Sequence, residues 1–363
     1  MNSNNEPTLF ALSLIEDDKK KINNLVSEVT VNAKTLRRFF RDLLCFSALY
    51  QRCSWSKDGV AFHPLIQLNA LKNLASLRLD KPSKAIVKRA ITISQKSIKS
   101  KIDSRSSTFT DEELNKPLLT HEFISAFKNG DIKKARIEAN RISIISDNPS
   151  SVIEIMMEIA IMYMDQIGAF VYSVYRSSVF SGSKQSHIFI NLLLSSLGNR
   201  QWPFDINEEN KFSELSPFMK CVLQNSNFSE FNLFSTATRL WNGESVRQVN
   251  FKQGLYAWAK KKFDISTDLE SNINPSTINY RKDIIYLLER GNPDYLSNAL
   301  IQAQSNNKWT WPLNVVELWI ESSKSQNLNF DYLDALQSIA RLADPKSMQF
   351  IAKRLLEINS RSV

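Results

Sequence analysis

The sequence predicts an all-α protein built from antiparallel helix pairs. Three observations carry that expectation. Apolar residues recur at helical spacing along most of the chain. Glycine is limited to 8 of 363 residues, with short polar connections between the apolar segments. And one helical pattern is written twice, as "PSSVIEIMMEIAI" from Pro149 and "PLNVVELWIESSK" from Pro312.

The elements follow in order. "KTLRRFFRDLLCFSALY" from Lys34 is amphipathic, as is "HPLIQLNALKNLASL" from His63. "SKAIVKRAITISQKSIKSKI" is a third such segment, with Ser83 as its expected N-cap. A polar stretch follows, in which Thr110 and Glu113 have capping-box spacing. Further helices are expected at about 120–129, 131–144, 150–176 and 185–197. After the looser "GNRQWPFDINEENK" they resume at about 228–242, 245–263, 276–290, 293–304, 313–325, 330–343 and 346–358.

The repeated pattern sets an offset near 162 residues, and other segments keep it. "LTHEFISAFKNGD" from Leu119 aligns with "YRKDIIYLLERGN" from Tyr280, placing Gly130 on Gly291. "SHIFI" from Ser186 aligns with "SMQFI" from Ser347, and Ser83 with Ser245. Single matches of this kind arise from periodicity alone, but their kept order reads as a tandem duplication. Gly130 and Gly291 are expected to end their helices in the left-handed conformation. Pro149 and Pro312 fall where a helix begins and a missing N–H is harmless. The two units would form a pseudo-two-fold bundle or a short α-solenoid. Residues 1–105 read as a basic helical region completing the first unit, 106–200 as that unit's core and 201–363 as the second unit.

Composition narrows the function. The net charge of +9 is concentrated at the start: residues 1–105 hold 19 basic and 9 acidic residues, the rest 27 and 28. An acidic partner is expected there, with nucleic acid as one form of it. Cys45, Cys53 and Cys221 lack metal or disulfide spacing, which points to a reducing, cytoplasmic setting. "MNSNNEPTLFALSLIEDDKKK" lacks the basic start of a signal peptide. The most apolar window, Val152 to Tyr175, carries Glu154, Glu158 and Asp165, so no membrane span is expected. No glycine-rich phosphate-binding motif occurs.

Two candidate sites remain. His63, His121 and His187 each stand at the start of an apolar helix. Three imidazoles with an open position suit Zn, or Fe with a carboxylate, and Glu154 and Glu158 share a helix face that could supply one. Against this, the histidines lack HExxH or ExxH spacing, and Lys282 and Met348 replace two of them in the second unit. The carboxylate stripe has its own plain reading, as a wet face or a set of ion pairs with a neighbouring helix. The second candidate is basic: Lys84, Lys88, Arg89, Lys96 and Lys99 on one helix, with Arg37 and Arg38 on another. These suit the phosphates of a polyanion, although aromatic residues for base stacking are not interleaved and a solvated face has the same pattern. Trp309, Trp311 and Trp319 crowd one segment as core or as an interface anchor. The SxxK spacings at Ser54 and Ser181, and the pair Cys53 and His63, do not amount to a nucleophile motif.

The leading expectation is therefore a non-catalytic helical-repeat interaction module for a protein or polyanionic partner. The alternative is an all-helical metal-dependent oxidoreductase or hydrolase using the three histidines. RNA binding by the Lys81–Arg105 segment is a third possibility, marked by steep salt dependence.

Overall fold

The computed structural model describes residues 19–96, 120–146, 150–202, 212–264, 284–321 and 330–361. Lys99, the Thr110–Glu113 spacing, Pro149 and the start of the helix expected from 276 lie outside those residues. Within them the chain is all-α. The helices are α1 (Lys19–Val29), α2 (Ala33–Tyr50), α3 (Pro64–Ala75), α4 (Lys84–Gln95), α5 (Thr120–Lys128) and α6 (Ile132–Ile145). Next come α7 (Ser151–Met162), α8 (Ala169–Ser181), α9 (Ser186–Leu197), α10 (Ser216–Asn225), α11 (Phe228–Trp241) and α12 (Gln248–Lys262). The last are α13 (Ile284–Arg290), α14 (Pro293–Ser305), α15 (Trp311–Glu321), α16 (Phe330–Leu342) and α17 (Met348–Arg361).

Local chemistry sets many of the boundaries. Asn32 and Asn227 each close a capping box, with Thr35 and Glu230. Ser83 caps α4 as expected, accepting from Ile86 N, and Pro64 and Pro293 open α3 and α14. Gly130 and Gly291 adopt φ of +73° and +70°, the left-handed turn-off the sequence foretold. At Gly130 the motif is complete: Asp131 N donates to Ala126 O and Gly130 N to Phe127 O.

Three features depart from the expected string. The helix expected over 150–176 is interrupted by a π turn at Met164–Gly168, where a Cβ on Gly168 would run into the Met164 sulfur. Helices α1 and α10 were not foreseen. Nor was an antiparallel hairpin pairing Ser54–Trp55 (β1) with Ala61–Phe62 (β2), turned at Gly59 with φ +76°. The Arg200 guanidinium lies 3.7 Å from the Trp55 ring, and Trp202 stands between Trp55 and Tyr163, which pins the hairpin beside the π turn.

The buried apolar residues form one cluster from Val26 to Ile358. At its centre α3 packs on α8 and α16, and α11 on α16 and α8. These four helices do not meet through apolar residues alone. Asn69, Lys72, Ser173, Ser177, Ser235, Thr236, Thr238, Asp334 and Gln337 are all buried there. A polar seam therefore runs through the middle of the molecule, and its two ends open into cavities. Among the described residues no helix is long and apolar enough to cross a membrane.

Candidate functional site

One end of the seam is an open cleft of about 470 Å³ between α3, α8, α11 and α16. Asn73, Tyr172, Arg176, Arg239, Asp334 and Arg341 are among its lining residues. Arg239 is held on every side: Nη1 donates to Asp334 Oδ2 at 2.6 Å, Nη2 to Asp334 O at 2.7 Å and Nε to Ser338 Oγ at 2.9 Å. Burial alone would lower its proton affinity, but Asp334 and the Tyr172 hydroxyl more than offset this and keep it charged. Asn73 Nδ2 gives Asp334 Oδ2 a further bond, at 2.9 Å. Arg341 is exposed and stacks on Trp309 at 5.0 Å. Arg176 is exposed and has no hydrogen-bond or ion-pair partner among the described residues.

Behind the cleft lies Lys72, only 8% exposed. Its Nζ donates to Asn69 Oδ1 at 2.7 Å and sits 4.9 Å over the Phe180 ring. Burial, and then repulsion from Arg176 and Arg239, push its pKa down to about 7, with Asp334 opposing. Three arginines and a lysine thus surround a single carboxylate. The arrangement is suited to accepting negative charge.

The other end of the seam is a larger cavity of about 660 Å³ beneath the hairpin and the π turn. Phe62, Ile66, Ile93, Leu233, Met164 and Ala169 supply apolar walls. Asp331 brings a carboxylate to it. Gln67 Nε2 and Asn232 Nδ2 donate to its two oxygens, at 2.5 and 2.7 Å, and burial raises its pKa. Cys53 also lines this cavity, but burial pushes its thiol up to about 12, and that of Cys45 up to about 11. Neither is a ready nucleophile.

The histidines have separate duties. His63 is the N-cap of α3: Nδ1 accepts from Leu65 N at 3.1 Å, and Nε2 faces Gln51 O at 3.3 Å. The first bond requires a bare Nδ1 and the second a protonated Nε2, so both ring nitrogens are engaged. Burial pushes its pKa down to about 4. His121 is exposed on α5, and His187 is half-buried in the first turn of α9, its pKa lowered by burial. Among the described residues no three His, Cys, Asp or Glu side chains are grouped so as to hold a metal ion.

The carboxylate stripe turns to α12. Glu158 accepts from Arg247 Nη1 at 2.6 Å and from Asn250 Nδ2 at 2.5 Å, Glu154 from Ser245 Oγ at 3.3 Å, and Asp165 from Lys262 Nζ at 3.5 Å. Glu158 and Asp165 are thus ion-paired with Arg247, the N-cap of α12, and with Lys262 in its last turn, while Glu154 meets a serine just before that helix.

The basic residues are divided. Arg37, Arg38, Lys84 and Lys88 are exposed, with Arg38 3.8 Å from Asp42 and Arg37 5.8 Å from the Phe180 ring. Arg89 is half-buried over Phe330, and Lys96 ends α4 at the rim of the larger cavity. Trp311 and Trp319 are buried core, and Trp309 is half-buried under Arg341.

Sequence reading passed over Arg176, Arg239, Arg341 and Asp334 at one cavity, and Gln67, Asn232 and Asp331 at the other. A signal existed in α3. Asn69, Lys72 and Asn73 on α3, with its C-cap Ser76, form a polar stripe at i, i+3, i+4 and i+7. No family model, curated protein or solved structure matches this chain.

Proposed function

We propose that this protein is a non-catalytic helical module that binds a polyanionic partner, and that the arginine-lined cleft receives the partner's negative charge. The observation that carries the reading is Arg176, exposed in the cleft without a partner, beside Arg341 and an Arg239 already neutralised by Asp334. Guanidinium groups suit phosphate because their donors match its oxygens in pairs. The exposed Arg37, Arg38, Lys84 and Lys88 extend positive charge over the N-terminal helices. Titration of the full chain with inorganic pyrophosphate, at low and moderate salt, tests the reading. Binding should weaken at least about tenfold in Arg176→Ala, since charge-assisted hydrogen bonds contribute about 1.5–3 kcal/mol. No binding, or an affinity unchanged in the variant, would sink it.

The same reading takes the chain to be two related units that meet at this cleft. Several regularities support that. Two 3₁₀ turns, Ser183–Gln185 and Pro345–Ser347, lie 162 residues apart, each leading into a helix. Packing is exchanged between the halves: α4 lies on α15, and α12 on α7. The ion pairs follow the exchange, Arg78 with Glu317 of α15 and Arg247 with Glu158 of α7. The cleft is lined by residues paired at the same offset: Ser76 with Thr238, Tyr172 with Asp334, and Arg176 with Ser338. A cleft on a pseudo-two-fold axis draws on both units, so neither alone would carry it.

A further inference from the structure

The larger cavity has two chemically different ends. At one, Asp331 presents a carboxylate, and Asn232 Oδ1 is a buried acceptor without a hydrogen-bond partner. The orientation of that amide is fixed, because Nδ2 is the atom that meets Asp331. This end calls for a donor. At the other end lie Arg52 and Lys96, kept together because Gln51 Nε2 donates to Lys96 O at 2.7 Å. This end calls for an acceptor with negative charge.

The two ends are separated along α3. Gln51 O meets His63 at the cap, whereas Gln67, which holds Asp331, stands four residues on. Four residues are about 6 Å of helix rise. Ile66, Ile93, Leu233, Met164 and Phe62 line the cavity as well, as does Asp165, whose carboxylate is already paired with Lys262. A fatty acid would meet the Asp331 carboxylate, and a simple amine would meet two cations. A ligand with both charges and an apolar body meets neither conflict.

We propose that this cavity binds a small zwitterion, a di- or tripeptide with apolar side chains, with its ammonium at Asp331 and Asn232 and its carboxylate at Arg52 and Lys96. Its volume falls within the range of small-molecule sites, which are mostly apolar with a few convergent polar groups. The adjoining π turn is of the kind that often accompanies such sites. Phe62 on β2 is exposed at the mouth, so the hairpin forms one lip of the site.

The test uses the full chain and the dipeptide Leu-Phe, in forms with both ends free or with either end blocked. Calorimetry and the thermal midpoint are the readouts. The free dipeptide should bind and raise the midpoint. N-acetyl-Leu-Phe and Leu-Phe-amide should each bind at least about tenfold more weakly, as expected for loss of one charged hydrogen-bonding end. Asp331→Asn should weaken the free dipeptide while leaving N-acetyl-Leu-Phe unchanged. Should Asp331→Asn fail to fold, Lys96→Glu, at an exposed position, should weaken the free dipeptide and spare the amide. Equal binding of free and blocked forms, or no binding of any probe at about 10 mM, where even millimolar affinity would register, would overturn the proposal. Arg176→Ala should leave dipeptide binding intact, which separates this site from the anion cleft.

Discussion

Replacing Lys72 with Met tests the electrostatics of the polar seam directly. The native pKa is pushed down to about 7 by burial and by Arg176 and Arg239, against an ordinary lysine value of 10.5. Below about pH 7 both the folded and unfolded chains hold the proton, and the folded state bears the full penalty of a buried cation. Between about pH 7 and 10.5 the unfolded chain holds more protons than the folded one, so stability rises with pH. The slope approaches about 1.4 kcal/mol per pH unit, and integration from roughly pH 6 to 9 gives about 2.7 kcal/mol. Methionine has a similar length, no charge, and keeps the contact with Phe180. Urea denaturation of wild type and Lys72→Met across that range isolates the term, because every other titration is common to both chains. The stability difference should shift by about 2–3 kcal/mol in favour of wild type as pH rises. A difference that stays constant across the range would mean that Lys72 keeps an ordinary pKa, and would refute the account of the seam.

Three further outcomes are expected. His63→Ala should lose about 1–2 kcal/mol near neutral pH, since it removes the cap on Leu65 N. It should also flatten the acid limb: with a native pKa of about 4 against 6.5, His63 makes wild-type stability fall as pH drops from about 6.5 to 4, a loss the variant lacks. Arg354→Leu should lose about 2–4 kcal/mol in chemical denaturation, because that buried guanidinium satisfies Val222 O, Leu223 O and Ser226 O at the end of α10 and also meets Tyr332 Oη. Gly130→Ala and Gly291→Ala should each lose about 1–2 kcal/mol from left-handed strain alone, since an added Cβ meets nothing closer than 3.8 Å at either position. Unequal losses would show that the two turns differ in role.

The helices were legible where a local rule decides them. Ser83, Gly130 and Gly291 announce their boundaries by chemistry that acts within a few residues, and periodicity supplies the rest. The π turn at Met164–Gly168 was hidden because helical periodicity does not register one extra residue in an apolar run. The hairpin was hidden because two-residue strands are held by Arg200 and Trp202, which lie far away in sequence. The sites were less legible still. Each charged residue of the cleft looks like an ordinary surface cation in its own segment. Arg176, Arg239 and Arg341 become a group only when α8, α11 and α16 are brought side by side. The histidines share a position at helix starts, but only for His63 does the structure show why: it caps α3, whereas His187 bonds the Lys184 backbone and His121 is exposed.

The polar seam is hard to explain by stability. Ion pairs removed from water contribute little beyond what well-packed apolar residues of similar volume would give, and often less. Apolar residues in place of Lys72, Arg239 and Asp334 would therefore leave the four central helices as firmly joined. What they would not leave is a cleft with surplus positive charge at one end and a carboxylate facing a cavity at the other. Asp334 and Asp331 sit one turn apart on α16 and serve opposite ends of the seam. Burial depresses Lys72 first, and repulsion from Arg176 and Arg239 adds to it, so an anion placed at Arg176 would relieve that part and raise its proton affinity. The destabilising polarity of the interior and the binding proposed at its two openings thus have one origin, the side chains that the four central helices turn toward each other.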